Sequence, residues 1–214
     1  MKLIKNTEVT KGTGRQNWGY AVFFIIVLIV FFKIKIDDMP QQQTQPLKES
    51  AQRTQQLADM PPSEVAFIEL IEKMSKEYKA APNELKKSII RTERSKLLAS
   101  TLKSKSVNGW VGTILDMSTN SDRKAILAVR LEPSDIILTT WNNDLSDLVD
   151  DTLIPHASHL YNAISEMAKG QRVVVSGHFF YSKGDYIKEA SLREHGSMKS
   201  PEFIFKFSKV TRFK

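Results

Sequence analysis

Two histidines and a glutamate come closest to a metal-ligand pattern in this chain. His156 and His159 stand three residues apart, and Glu166 follows; imidazole and carboxylate groups are common zinc ligands. The spacing matches no established zinc motif, and Pro155 favours a loop at this point. We interpret the histidines as a surface or structural pair, and a hydrolase that uses this loop remains a third hypothesis.

Four aspartates cluster in the same region: Asp144, Asp147, Asp150 and Asp151. Carboxylate oxygens suit hard divalent cations, but the segment lacks the glycine and the ligand spacing of a calcium-binding loop. We interpret these residues as turn and helix-cap residues. The sequence contains no nucleophile elbow, phosphate loop or dinucleotide fingerprint, and it has no cysteine. It therefore predicts a non-enzyme without catalytic residues, metal or cofactor.

An apolar run near the N-terminus predicts membrane attachment. Residues 18–32 read WGYAVFFIIVLIVFF, and Lys33 and Lys35 can extend the span by reaching the lipid headgroups. Nineteen helical residues cover roughly 28 Å, close to the hydrocarbon thickness of about 30 Å. No small residues suited to signal cleavage follow the run. We expect a basic tail over 1–17 and an uncleaved transmembrane anchor over 18–36, with a cleaved signal or a buried core helix as alternatives.

The charges that flank the apolar run indicate its orientation. Four basic residues precede it and two follow it: Lys2, Lys5, Lys11 and Arg15, then Lys33 and Lys35. The more basic flank tends to stay in the cytoplasm. We predict a single-pass protein of a bacterial inner (plasma) membrane, with a cytoplasmic N-terminus and a periplasmic or otherwise extracytoplasmic C-terminal domain.

A linker and a helical segment follow the expected anchor. Residues 37–62 are rich in glutamine and proline, which predicts a flexible linker. Over 63–105, Ser63 is the expected N-cap of a first helix, and a second helix is expected from Asn83 to about Leu102. Two apolar stripes are expected to face inward: Val65, Ile68, Ile71, Met74 and Tyr78, then Leu85, Ile89, Leu97 and Leu98.

Net charge weakens a nucleic-acid function. The chain carries a formal charge of +7, but the excess lies in the N-terminal flank and in the helical segment. Residues 106–214 contain thirteen basic and thirteen acidic residues. We interpret the mixed charges of the helices as a solvated surface. A basic face for anionic lipid or nucleic acid is the alternative.

From residue 106 onward, short β-rich segments separated by turn residues predict a β domain over 106–214. The expected strands are Trp110–Leu115, Lys124–Leu131, Ile136–Thr140, Arg172–Tyr181, Tyr186–Leu192 and Phe203–Val210, with one helix over Leu160–Lys169. Alternation puts Phe203, Phe205 and Phe207 on one face, which favours a core position.

The stretches NGWVGTILDM, KAILAVRL and AKGQRVVVSGHFFYSKGDYIKEASL resemble OB-fold proteins of the anticodon-binding-like kind. That group includes bacterial proteins of unassigned role that carry one such domain behind a membrane anchor. The resemblance covers about 106–211 and implies a small Greek-key barrel with one helix; a six-stranded sandwich is the alternative. The expected fold class is α+β: a transmembrane helix, a helical hairpin-like stretch and an OB-like barrel.

OB-folds as a class bind oligonucleotides, oligosaccharides or proteins on one face. The candidate binding face combines rings and cations: Trp110, Trp141, Phe179, Tyr181 and Tyr186 with Arg130, Arg172, Lys183 and Lys188. Most of these rings are expected in the barrel core, because one face of each strand must be buried. The leading hypothesis is a membrane-anchored binding module that meets protein or envelope-polymer partners. A cytoplasm-facing single-stranded nucleic-acid-binding protein is the alternative, and nucleic acid is not the favoured partner.

Overall fold

The computed structural model describes residues 53–58, 60–191 and 194–214, without the side chains of residues 194 and 195. These residues belong to one compact unit. The predicted basic tail, the predicted anchor and the expected linker up to residue 52 lie outside the described residues. Among the residues that are described, no helix has both the length and the apolar character that crossing a bilayer requires. Residues 53–58 are helical, and Met60 is buried.

Helix α1 (Pro62–Ala80) buries the apolar stripe that the sequence predicts. Ile68, Ile71, Met74 and Tyr78 are buried, and Val65 is half-buried. The prediction of Ser63 as N-cap is wrong, because the helix begins at Pro62, whose fixed φ suits a first helical position.

Helix α2 (Glu84–Thr101) has Asn83 as its N-cap, with the side chain accepting a hydrogen bond from the Lys86 amide at 2.9 Å. Its buried residues are Ile90, Arg94 and Leu98. The prediction that Leu85 and Ile89 face inward is wrong, because they are 80% and 57% exposed. Leu98 is buried as predicted, and Leu97 is half-buried. An arginine occupies the middle of the buried row, so the apolar pattern alone misplaces the first half of the stripe.

The remaining elements of the described residues are strands and short helices. In chain order they are β1 (Ser106–Thr119), β2 (Ala125–Leu131), β3 (Ile136–Thr139), α3 (Asp144–Asp147), α4 (His159–Ser165), β4 (Arg172–Phe179), β5 (Tyr181–Ser182), β6 (Tyr186–Ile187), α5 (Glu194–Lys199) and β7 (Glu202–Arg212).

Five strands form a closed barrel in the order β1-β2-β3-β7-β4, with β4 pairing back to β1. All of these pairs are antiparallel except β3 with β7, which is parallel. Strand β1 shifts register twice, which lets one long strand bend and pair with both β2 and β4. With α4 between β3 and β4, the architecture is α+β with an OB-like barrel. The sandwich alternative is wrong.

Helix α1 and the C-terminal end of α2 share the main hydrophobic core with the barrel, and a second, smaller cluster of Met74, Tyr78, Ile90 and Met198 joins α1, α2 and α5. Phe67 of α1 enters the barrel, where its ring centroid lies 5.1 Å from that of Trp110, 5.5 Å from Phe179 and 5.4 Å from Phe203. Phe203, Phe205 and Phe207 are all buried, as predicted. Helix α1 is therefore a structural part of the barrel rather than an appendage.

Candidate functional site

The nine residues of the predicted binding face occupy separate places in the structure. Trp110 and Phe179 lie in the core, 0% and 1% exposed. The Trp110 indole donates a hydrogen bond from Nε1 to Ser63 Oγ at 3.1 Å. These two rings are thus not available to a surface ligand.

Arg130 and Arg172 meet around one carboxylate on the outside of the barrel. Glu132 lies 3.9 Å from the Arg130 guanidinium and 3.7 Å from Arg172. Thr113 Oγ1 donates to the same carboxylate at 2.6 Å, and Arg172 stacks 4.1 Å from the Phe213 ring centroid. The carboxylate offsets much of the positive charge that these arginines could offer to a phosphate.

Tyr181, Lys183 and Tyr186 lie on the hairpin formed by β5 and β6. Lys105 Nζ lies 5.9 Å from the Tyr181 ring centroid and 5.4 Å from that of Tyr186. The Tyr186 hydroxyl donates to the Leu102 carbonyl at 2.9 Å. Tyr181 is 61% exposed, and Lys183 is also exposed.

Two arginines of α2 contact the hairpin turn at Asp185, Arg91 closely and Arg94 at 3.4 Å, and Arg94 also binds residues that follow the hairpin. Arg91 donates to both carboxylate oxygens of Asp185 at 2.7 Å. Arg94, 1% exposed, donates to the Ser197 carbonyl at 3.1 Å and also forms an ion pair with Glu189. Burial raises the pKa of Glu189 to about 7 against the opposing charge of Arg94. For Asp185, burial is outweighed by the bonds and charges of Arg91 and Arg94, which lower its pKa.

Trp141 and Lys188 converge on Asp150. The Trp141 indole donates from Nε1 to Asp150 Oδ2 at 2.7 Å, and Lys188 Nζ lies 2.8 and 2.7 Å from the two carboxylate oxygens. Asp150 itself is buried, and the Trp141 amide donates to Thr152 Oγ1 at 2.8 Å. This pair from the predicted face therefore anchors the segment 141–153 that joins β3 to α4.

The other three aspartates of the segment are also engaged. Asp147 is buried and accepts hydrogen bonds from the Thr152 hydroxyl at 2.7 Å and the Leu153 amide at 3.0 Å. Lys124 binds Asp144 at 2.7 Å, and Lys206 binds Asp151 at 2.6 Å. The four carboxylates thus face different partners. Across the described ranges, no three His, Asp or Glu side chains are grouped as a metal site.

The fixed segment presents three apolar side chains to solvent, which we call the apolar knob: Leu145, Leu148 and Val149, which are 81%, 76% and 89% exposed. Burying a leucine or valine side chain stabilises a folded protein by about 1.5–3 kcal/mol, so such side chains usually lie in the core. Contiguous exposed apolar residues often mark an interaction site. Sequence reasoning overlooked the knob, although the run DLSDLVDD places all three within an acidic turn.

The structure does not bring together the three residues of the possible metal pattern, His156, His159 and Glu166. His156 packs against Tyr161 with ring centroids 5.0 Å apart, and His159 is the first residue of α4. Glu166 follows the last residue of α4, so the helix separates it from His159.

Glu64 is a buried carboxyl group where α1 meets β1. Both of its oxygens accept the Val111 N–H, at 3.0 and 2.8 Å. Burial raises the pKa of Glu64 from 4.5 to about 8, although the Val111 hydrogen bond opposes the rise. The folded protein therefore holds a proton near neutral pH that the unfolded chain releases.

This proton makes stability depend on pH. Because the folded pKa is the higher one, the stabilisation is complete below pH 4.5 and is lost as the pH rises through 8. We expect Glu64→Gln to remove about 1 kcal/mol per pH unit from the slope of unfolding free energy between pH 5 and 8. Urea unfolding of wild type and variant at several pH values measures the two slopes. Glu189 contributes to both slopes, so its contribution cancels in their difference. Equal slopes would contradict the assignment.

No protein-family model, curated protein or solved structure matches the chain. A functional interpretation therefore rests on the geometry of the barrel and its loops.

Proposed function

We propose that this chain is a membrane-anchored binding module whose OB-like barrel, held outside the cytoplasm, docks a partner protein on the apolar knob. The observation that carries the proposal is the exposure of Leu145, Leu148 and Val149 on a segment fixed by buried aspartates. The hydrophobic run over 18–36 supports the membrane anchor. The resemblance to OB-fold proteins of the anticodon-binding-like kind supports a binding role, and this finer assignment is part of the proposal.

The chemistry of the knob favours a protein over a polyanion. The lysines beside it, Lys124, Lys188 and Lys206, are each paired with an aspartate of the segment. A protein interface needs a compact apolar centre with a polar rim. Because the segment is already fixed, docking costs less conformational entropy than ordering a flexible loop. A pocket of apolar side chains on the partner would match the knob.

Single-stranded nucleic acid fits the described surface less well. Such binding combines stacking rings with available cations. Trp110 and Phe179 are buried, while Arg130, Arg172 and Lys188 face carboxylates. The cations of the predicted face are therefore largely used within the protein.

The test begins in cells with the full chain. A photo-cross-linking amino acid at Leu148 should give a defined adduct that the same probe at Glu93, an exposed position on α2, does not give. The captured protein is then purified and its affinity measured against wild type and variants. We expect Leu145→Ser with Leu148→Ser to weaken binding at least about tenfold, since truncating a hot-spot side chain at the centre of an interface costs about 2 kcal/mol or more.

A matched control uses the other exposed apolar pair. Leu85→Ser with Ile89→Ser removes a similar area from α2 and should leave the affinity unchanged. Both double variants should fold normally, because exposed substitutions usually change stability by about 0.5 kcal/mol or less. Unchanged binding by the knob variant, or adducts of equal yield at both probe positions, would refute the docking role.

A further inference from the structure

A groove of about 520 Å³ opens between α1, the turn from β2 to β3 and the segment that joins α5 to β7. Its floor includes Ile71 and Ile136, which are buried side chains of the core. Lys76, Lys79 and Lys199 line its walls together with Ser75. The apolar floor and cationic walls come from segments that are distant in sequence, so only the fold brings them together.

The groove carries an excess of positive charge. Within the part of the chain that the structure describes, no ion pair or hydrogen bond engages the side chains of Lys76, Lys79 and Lys199. Of the two acidic residues in the lining, Glu72 is paired with Arg53, which leaves Asp135 as the counter-charge. The negative end of the α1 dipole favours a lysine such as Lys79 at that position. The helix dipole does not explain why Lys199 of α5 also lines this groove.

We propose that this groove binds the phosphate of an anionic phospholipid headgroup, with the first acyl-chain carbons of the glycerol esters resting on the apolar floor. Lysine ammonium groups are strong point-charge partners for phosphate. None of the described lining residues is aromatic, so the stacking that single-stranded nucleic acid uses is missing from the groove. An isolated phosphate has no apolar part that could contact the floor of the groove. A phospholipid joins a charged phosphate to a glycerol backbone that carries apolar acyl chains.

The inference rests on the proposed function in one respect, because the predicted anchor would keep lipid near the groove. A tethered ligand surface is encountered at a high effective concentration, so a weak individual site is enough. Three lysines at a charged bilayer surface give a useful attraction, because each basic residue near anionic lipid contributes about fivefold in affinity. The groove would then fix how the barrel sits on the bilayer.

Because the chain contains no cysteine, one introduced cysteine allows a fluorescent dye to be attached at a single position of the full chain. Ala80→Cys places a single environment-sensitive dye at the rim of the groove. The labelled protein is reconstituted in nanodiscs of phosphatidylcholine alone or with added phosphatidylglycerol. We expect the emission to shift as phosphatidylglycerol increases, and Lys76→Glu, Lys79→Glu and Lys199→Glu together to weaken the response at least tenfold.

Three lysines outside the groove supply the control. Lys86→Glu, Lys103→Glu and Lys209→Glu make the same change in net charge at exposed positions and should preserve the response. Equal losses in both triple variants, or no response to phosphatidylglycerol in the parent protein, would overturn the proposal. A shift produced by soluble glycerol phosphate in phosphatidylcholine discs would also overturn it, in favour of a site for a free phosphate ester.

The two proposals fail separately. Co-elution of the chain with phosphatidylcholine nanodiscs reports the anchor, whereas the response to phosphatidylglycerol reports the groove. If the chain does not enter nanodiscs, the same titration in detergent micelles still tests the groove. Leu145→Ser with Leu148→Ser should not alter the lipid response, and the groove variants should still bind the protein partner. Loss of the lipid response in the knob variant would contradict a separate lipid site.

Discussion

Replacing Arg94 by leucine is expected to lower the free energy of unfolding by about 3–5 kcal/mol, as breaking a buried ion pair typically does. The change leaves the Glu189 carboxylate, which is 4% exposed, without its guanidinium partner. It removes a positive charge near Asp185, which is 13% exposed. It also removes the donor to the Ser197 carbonyl. Urea unfolding of the full chain in detergent, followed by tryptophan fluorescence, measures the loss.

Two companion variants separate charge from packing. Arg91→Leu removes a guanidinium that is 32% exposed and keeps Arg94, so we expect a cost of about 1 kcal/mol or less. Arg94→Met combined with Glu189→Met removes both buried charges and should recover much of the stability lost in Arg94→Leu. If Arg94→Leu costs no more than Arg91→Leu, the buried pair does not hold the hairpin to α2.

Gly177→Ala is expected to cost about 3 kcal/mol or more, at the upper end of overpacking in a core. A Cβ at this position would lie 2.1 Å from the Lys206 carbonyl oxygen and 2.5 Å from the Phe205 ring. The backbone of β7 cannot yield easily, because β4 and β7 are paired on both sides of a register shift at this point. Strands β4 and β7 would have to move apart to make room for the methyl group.

Gly170→Ala is the matched control, because its added Cβ meets no atom within 4 Å. Its φ of +81° still disfavours alanine, so we expect a loss of about 1–2 kcal/mol from backbone strain alone. Circular dichroism during thermal unfolding compares the two variants. Equal unfolding temperatures would show that β7 accommodates the methyl group and that the close approach is not a constraint.

Several strands could be predicted because they are rich in β-branched and aromatic residues and are bounded by turn residues. The expected segments Lys124–Leu131 and Phe203–Val210 lie close to the observed β2 and β7, and the alternating burial of β4 is visible in its sequence. The expected strand Tyr186–Leu192 is only the two-residue β6 in the structure. Its following residues instead make single contacts with β7, such as the bridge from Glu189 to Phe203.

The inward face of α2 could not be predicted from apolar periodicity. Arg94 occupies a core position only because Asp185 and Glu189, about ninety residues later, fold back to meet it. No local pattern contains that information. Leu85 and Ile89 look like core residues in sequence, but they are exposed because the row through Arg94 is the buried one.

The candidate site was predictable only in part for a related reason. Trp141 and Lys188 were selected as ring and cation, but their meeting at Asp150 depends on the barrel bringing β3 and the segment after β6 together. The apolar knob is not predictable from the sequence, because the pattern of its leucines is equally compatible with a core position. Its exposure follows from the bonds of Asp147 and Asp150, which turn the segment outward and hold it there.

The position of β7 between β3 and β4 has a consequence for biosynthesis. Neither neighbour can complete its pairing until residues 202–212 have been made, so the barrel cannot close before that segment has been synthesised. A nascent or prematurely terminated chain would expose two sheet edges, which are templates for aggregation.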